Sequence, residues 1–230
     1  MDYLVRLFEK QDYAEQFLSG QLRLLPAGYY IEKEGTGRLD GFEGAVSKSE
    51  RLNISFPILC CLKCSTQQSK ITSALVICTS IIRDFCKCGG YAVAVEKSKF
   101  IEMVSPLIKL CSADQQPSYH GDVIYDIDEN NLGKHWNGST GLKDSLLHKR
   151  IEYAYQNEYR FVFTNPTHYT FCINDGFEQP WRVNIQDLHE SAYAFYIKPV
   201  CEIKDDFIEL PLCDTQRVSC GAWRCWGRSK

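Results

Sequence analysis

The side chains of this sequence best suited to chemistry lie in segment 155–164, which reads Tyr-Gln-Asn-Glu-Tyr-Arg-Phe-Val-Phe-Thr. Alternate residues of a strand share a face, so Gln156, Glu158 and Arg160 are predicted to project together. The other face is aromatic and is predicted to be buried. It carries Tyr159, Phe161 and Phe163.

A row that combines an amide, a carboxylate and a guanidinium meets either a polar cleft or solvent. On a solvated face, Glu158 and Arg160 form a surface ion pair, which contributes little to stability. In a cleft, the same side chains are available to a ligand. The pattern alone leaves both interpretations open, and we predict that Glu158 and Gln156 line a concave polar cleft.

The elements that must position this row are helical early in the chain and β-rich late. Strands are predicted at 3–8, 21–25, 53–62 and 91–95, and helices at 11–18, 73–85 and 99–110. Further strands are predicted at 155–164, 168–174, 181–185, 192–200 and 207–210. Helices concentrated in the N-terminal half favour the α+β class. The 230 residues fit a single domain, 1–230.

The segment Gln156-Asn157-Glu158 resembles the Gln-x-Glu motif of ADP-ribosyltransferases of the Arg-Ser-Glu class. Arg6, Ser55 and Glu158 follow the family's order, each on a segment predicted to be a strand. The middle motif departs from the family, since Ile54-Ser55-Phe56 stands where Ser-Thr-Ser is usual. A second set of residues is similar to small phage and bacterial toxins of the DarT and CmdT kind. It comprises segments 20–23, 28–30 and 40–44, Lys149 and segment 155–160.

The resemblance implies an ADP-ribosyltransferase-like fold with a central, mostly antiparallel split β-sheet, and NAD as the substrate. Glu158 would stabilise the positive charge that develops on the ribose when nicotinamide leaves. Gln156 would orient the acceptor, and Arg6 would pair with the pyrophosphate. The remaining NAD contacts that we predict are the stacking Tyr29 or Tyr30, together with Ser55, Arg38 and Arg160.

The loop 28–50 and the C-terminal tail are the segments predicted to face partners. The loop combines glycines with mixed charges, which suits closure over a substrate. The tail 216–230 is basic and contains Trp223 and Trp226, which suit either a nucleic acid or an antitoxin or chaperone protein. A partly ordered terminus that packs its tryptophans on the body is equally compatible.

Charge and cysteine usage limit the function classes. A net charge of −3 provides no global basic field for a polyanion. The sequence shows neither a secretory signal nor a membrane-spanning stretch, so we expect a cytoplasmic protein with no membrane partner. The 12 cysteines lie mostly in apolar runs and are predicted to be free thiols, and no metal site is predicted.

The sequence leaves three functions open. The first is an NAD-dependent ADP-ribosyltransferase, acting as a toxin in a toxin–antitoxin or phage-defence system on a nucleic-acid or protein acceptor. The second is a non-catalytic binding module that uses the loop and the tail. The third is an NAD glycohydrolase that uses the same cleft with water as the acceptor.

Overall fold

A computed structural model describes residues 1–27, 56–68, 73–112, 117–127, 145–164 and 181–213 of the chain. Its α-helices are α1 (Gln11–Leu18), α2 (Thr79–Phe85) and α3 (Lys97–Leu110). Its strands are β1 (Asp2–Phe8), β2 (Gln21–Pro26), β3 (Pro57–Gln68), β4 (Ser73–Cys78), β5 (Gly90–Glu96), β6 (Tyr119–Asp122), β7 (Ile124–Ile127), β8 (His148–Arg150), β9 (Glu158–Val162), β10 (Trp181–Asn184), β11 (Ala192–Ile197) and β12 (Phe207–Pro211). Short 3₁₀ helices cover Ser145–Leu147, Ile151–Gln156, His189–Ser191 and Val200–Glu202.

The chain divides into two compact units. The first comprises residues 1–22, 61–104 and 184–230. There β1 lies between β3 and β5, β5 also pairs with β11, and β12 pairs with β4, all antiparallel. Tyr3 and Val5 alternate onto the face of β1 that meets an apolar core of the first unit, which explains the register of the strand.

One tight turn of the first unit depends on glycine. Gly20 joins α1 to β2 with a φ of 81°, in the left-handed region that glycine adopts without strain. A Cβ atom at this position would collide with the backbone carbonyl of Ile185. The turn therefore requires a residue without a side chain.

The second unit comprises residues 23–60 and 105–183. The end of β2 pairs with the start of β3 at Leu25 and Ile58. Strand β6 pairs antiparallel with β9, so that Gly121 lies opposite Arg160. The short strands β7 and β8 are parallel and place Tyr125 opposite Lys149. A small core of Ala27, Ile58, Leu146 and Val162 supports one face of β9.

The protein is thus mixed α/β with a large antiparallel sheet, which agrees at the coarse level with the predicted α+β class. In the described residues the α-helices all lie in the N-terminal half of the chain. Two element predictions are wrong in detail. Segment 73–85 is strand β4 followed by α2, because a short apolar run does not distinguish a buried strand from a helix. Segment 155–164 begins as a 3₁₀ helix and becomes a strand only at Glu158.

Candidate functional site

The candidate site is built on the junction between the 3₁₀ helix Ile151–Gln156 and strand β9. Asn157 separates the two elements in a left-handed conformation, with φ 44° and ψ 57°. Asparagine adopts this region more readily than most residues. Gln156 and Glu158 therefore come together through a turn, although the sequence predicted that strand alternation would align them.

Lys149 joins these two side chains. It is the central residue of β8 and is buried, whereas its neighbours His148 and Arg150 are only half-buried. Its Nζ donates to Gln156 Oε1 at 2.7 Å and to Glu158 Oε1 at 2.8 Å. The ammonium also lies 4.9 Å from the centre of the Tyr153 ring.

Arg160 contacts the other oxygen of the Glu158 carboxylate. Its Nε donates to Glu158 Oε2 at 2.8 Å, and Nη2 lies at the same distance from that oxygen. Nη1 donates to the backbone carbonyl of Leu146 at 2.8 Å. Arg160, Glu158 and Lys149 form a buried polar cluster, in which two cations surround one carboxylate.

This arrangement keeps Glu158 ionised. Burial by itself raises the pKa of a carboxyl group. Here the charges of Arg160 and Lys149, with their hydrogen bonds, outweigh burial and lower the pKa of Glu158 from 4.5 to about 2. The side chain is therefore a carboxylate at any physiological pH.

Tyr125 fixes the start of β9 from the neighbouring strand β7. Its hydroxyl accepts the backbone N–H of Glu158 at 2.8 Å. Burial first, and then the charge of Glu158, raise the pKa of Tyr125 well above its usual value. The phenol therefore stays protonated beside the carboxylate.

The Glu158 carboxylate retains capacity for one further donor. An ionised carboxylate offers about four acceptor positions. Lys149 takes one on Oε1, and the two Arg160 nitrogens take two on Oε2. By this count about one acceptor position is left, and it lies on Oε1.

The opposite face of β9 confirms the predicted aromatic core. Tyr159, Phe161 and Phe163 are all buried. His120 Nδ1 is hydrogen-bonded to the Tyr159 hydroxyl at 2.5 Å, and its ring lies against Phe161. The polar face is enclosed as well, since Glu158 is only 4% exposed and Arg160 only 1%. This burial places the row neither on a solvated face nor along an open cleft, although the Glu158–Arg160 ion pair exists.

Arg6 lies on β1 in the first unit, where it is half-buried. Its guanidinium lies 5.8 Å from the Phe8 ring and 5.6 Å from the Phe17 ring. Its Nη1 is buried and has no hydrogen-bond partner among the described residues. A buried donor without an acceptor is costly. Its role with NAD stays a prediction.

Four of the predicted NAD contacts lie outside the described residues, namely Ser55, Tyr29, Tyr30 and Arg38. The predicted strand 168–174 and the tail 216–230 lie outside them as well. Sequence reasoning did not assign site roles to Lys149 and Tyr125. Lys149 appeared there only within the resemblance to toxins. The available signal was the His-Lys-Arg run of β8, in which alternation buries the central cation.

Other classes of site find little support in the described part of the chain. No group of three or more potential metal ligands occurs among those residues. The cysteines described there are free thiols, and several of them are buried. None of the described helices has the length and apolar character needed to cross a bilayer.

Comparison with known proteins gives no further assignment. No family model, no curated protein and no solved structure matches the chain.

Proposed function

We propose that this protein is an NAD-dependent ADP-ribosyltransferase that modifies a nucleic-acid or protein acceptor. The observation that carries the proposal is the convergence of Gln156 and Glu158 on Lys149, with Glu158 held as a carboxylate. A Gln-x-Glu pair is the motif that the resemblance to ADP-ribosyltransferases of the Arg-Ser-Glu class implies, and here both of its side chains belong to one polar cluster.

The proposed reaction breaks the bond between nicotinamide and ribose. Nicotinamide leaves with the bonding electron pair, and the ribose carbon develops positive charge before the acceptor nucleophile bonds to it. A fixed carboxylate stabilises that charge, and preorganised electrostatic groups of this kind contribute most when water is excluded. The open acceptor position on Oε1 of Glu158 would bind a ribose hydroxyl.

The other roles follow from residue chemistry and from the resemblance. Gln156 would orient the acceptor. Arg6 would pair with the pyrophosphate. Ser55, Tyr29 or Tyr30, Arg38 and Arg160 are the further proposed NAD contacts. The ADP-ribosyltransferase-like fold, a cytoplasmic location and a role as a toxin belong to the same proposal, with an antitoxin or chaperone bound through tail 216–230.

One observation favours a second candidate. Glu158 is only 4% exposed and is already neutralised, so NAD reaches it only if neighbouring side chains move. In a non-catalytic binding module the same cluster has a purely structural role and needs no access. The two candidates therefore differ in whether the protein consumes NAD.

The test is incubation of the purified protein with NAD labelled on the adenylate, together with RNA, DNA and lysate protein as acceptors. Transfer of label to one acceptor class supports the proposal and identifies the substrate. Release of nicotinamide and free ADP-ribose without transfer identifies a glycohydrolase. Unchanged NAD in every reaction would contradict both NAD-consuming functions.

A further inference from the structure

The buried cluster contains two cations and one carboxylate, so Arg160 alone would balance the charge of Glu158. Arg160 already donates two N–H groups to the carboxylate of Glu158. Burying a second cation adds a desolvation penalty. Lys149 makes two contacts that Arg160 does not, one to Gln156 Oε1 and one to Glu158 Oε1.

The first part of that role concerns Gln156. A lysine ammonium only donates hydrogen bonds, so the amide atom 2.7 Å from Nζ must be the oxygen. The amide nitrogen of Gln156 then faces away from Lys149, and it lies 3.4 Å from the Tyr155 hydroxyl. Lys149 thus selects one of the two orientations of the amide.

The second part concerns Glu158. Lys149 holds Oε1 while Arg160 holds Oε2. Without Lys149, the planar fork of Arg160 is expected to engage both carboxylate oxygens, because that bidentate geometry is preferred. The carboxylate would turn, and Oε1 would lose the orientation that leaves its open acceptor position.

We infer that Lys149 is a positioning residue, which sets the amide orientation of Gln156 and the carboxylate orientation of Glu158 for transfer to the acceptor. This inference rests on the proposed function. Lys149 acts through these two side chains and does not itself contact NAD. Loss of Lys149 therefore lowers the ratio of transfer to hydrolysis more than it weakens the binding of NAD.

The chain offers a matched control. Arg150 follows Lys149 on β8 and places its guanidinium 5.0 Å from the same Tyr153 ring. Its hydrogen bonds to side chains include those to the Tyr153 hydroxyl and to Glu152. Lys149→Met and Arg150→Met each remove one cation from Tyr153, but only the first removes the bonds to Gln156 and Glu158.

The experiment measures kcat and KM for NAD, and the ratio of transfer to hydrolysis, in the wild type and both variants. For Lys149→Met we expect that ratio to fall about 10-fold or more, with KM within about 2-fold, since misplacement near 1 Å costs up to about 100-fold in rate. Arg150→Met should keep the wild-type ratio. A wild-type ratio in Lys149→Met, or an equal loss in both variants, would overturn the inference.

Two outcomes prevent the kinetic comparison, namely an inactive wild type and a Lys149→Met variant that does not fold. In either case nitrogen-15 NMR of the wild-type protein tests the contacts of Lys149 directly. An inactive wild type refutes the proposed function, and the positioning by Lys149 is then decided by nitrogen-15 NMR. We expect slowly exchanging Lys149 ammonium protons with nuclear Overhauser contacts to the Gln156 side chain. An ammonium that exchanges as fast as those of exposed lysines would refute the positioning itself.

Discussion

Glu158 is a carboxylate enclosed by protein and neutralised by two cations. Desolvation of such a group is offset only while its partners remain in place. The same contacts that keep it ionised also make it part of the fold. Substitution of Glu158 therefore affects stability as well as any activity, and the two effects must be measured separately.

We expect Glu158→Gln to lower the free energy of unfolding by about 3 kcal/mol, because Lys149 and Arg160 are left buried beside a neutral group. Urea denaturation followed by circular dichroism measures this change. The matched control is Glu152→Gln, whose carboxylate is exposed and pairs with Arg150 at 3.3 Å. It should change stability by less than about 0.5 kcal/mol. Equal effects of the two substitutions would mean that the cluster is not buried as described.

The pH dependence of stability has a defined sign. The pKa of Glu158 is about 2 in the folded protein, below its ordinary value of 4.5. Its ionised form therefore stabilises the fold fully above pH 4.5, and this contribution is lost as the pH falls towards 2. Urea midpoints measured between pH 6 and pH 2.5 should fall more steeply for the wild type than for Glu158→Gln. Parallel curves would contradict the ion pairs of Glu158.

At the scale of elements, the site depends on one turn and two pairs of strands, β7 with β8 and β6 with β9. The 3₁₀ helix and β9 meet at Asn157, while β7 and β8 carry Tyr125 and Lys149 to the same carboxylate and its backbone. Each of these contacts joins residues that are distant along the chain or separated by a change of element. The cluster therefore forms only when both strand pairs are in register.

Asn157 should tolerate glycine and reject valine. It is exposed, and its φ of 44° lies in the left-handed region. Asn157→Gly is expected to change stability by less than about 0.5 kcal/mol, whereas a β-branched Asn157→Val should cost about 1–2 kcal/mol. Urea denaturation of the wild type and both variants measures these changes in the free energy of unfolding. A valine variant as stable as the glycine variant would show that the turn does not constrain the backbone.

Some of this arrangement could be predicted from the sequence. The buried aromatic face of β9 follows from period-two alternation, which is local, and Tyr159, Phe161 and Phe163 confirm it. Gln156 and Glu158 were expected to share a face of one strand. Their side chains do meet, but through a left-handed turn at Asn157 that the sequence pattern did not predict. Lys149 and Tyr125 reach Glu158 through the pairing of β7 with β8, and single-sequence patterns do not specify such long-range pairing. The enclosure of the cluster depends on the same tertiary contacts.

At the scale of the whole molecule, the described cysteines divide into enclosed and accessible thiols. Burial raises the pKa of Cys64 to about 12, whereas Cys88 and Cys201 are exposed. Because the thiolate is the reactive species, iodoacetamide at pH 8 should modify Cys88 and Cys201 well before Cys64 in the folded protein. Peptide mapping by mass spectrometry measures this order. Early modification of Cys64 would contradict the packing of β3 in the first unit.

The central claim is that Glu158 catalyses the cleavage of NAD. The direct measurement is the rate of nicotinamide release by the wild type, Glu158→Gln and Glu152→Gln at neutral pH, at a temperature where thermal unfolding shows all three proteins to be folded. Loss of a transition-state stabiliser costs on the order of 10²-fold or more in rate. We therefore predict at least that decrease for Glu158→Gln, and a wild-type rate for Glu152→Gln. A folded Glu158→Gln protein that releases nicotinamide as fast as the wild type would contradict the claim.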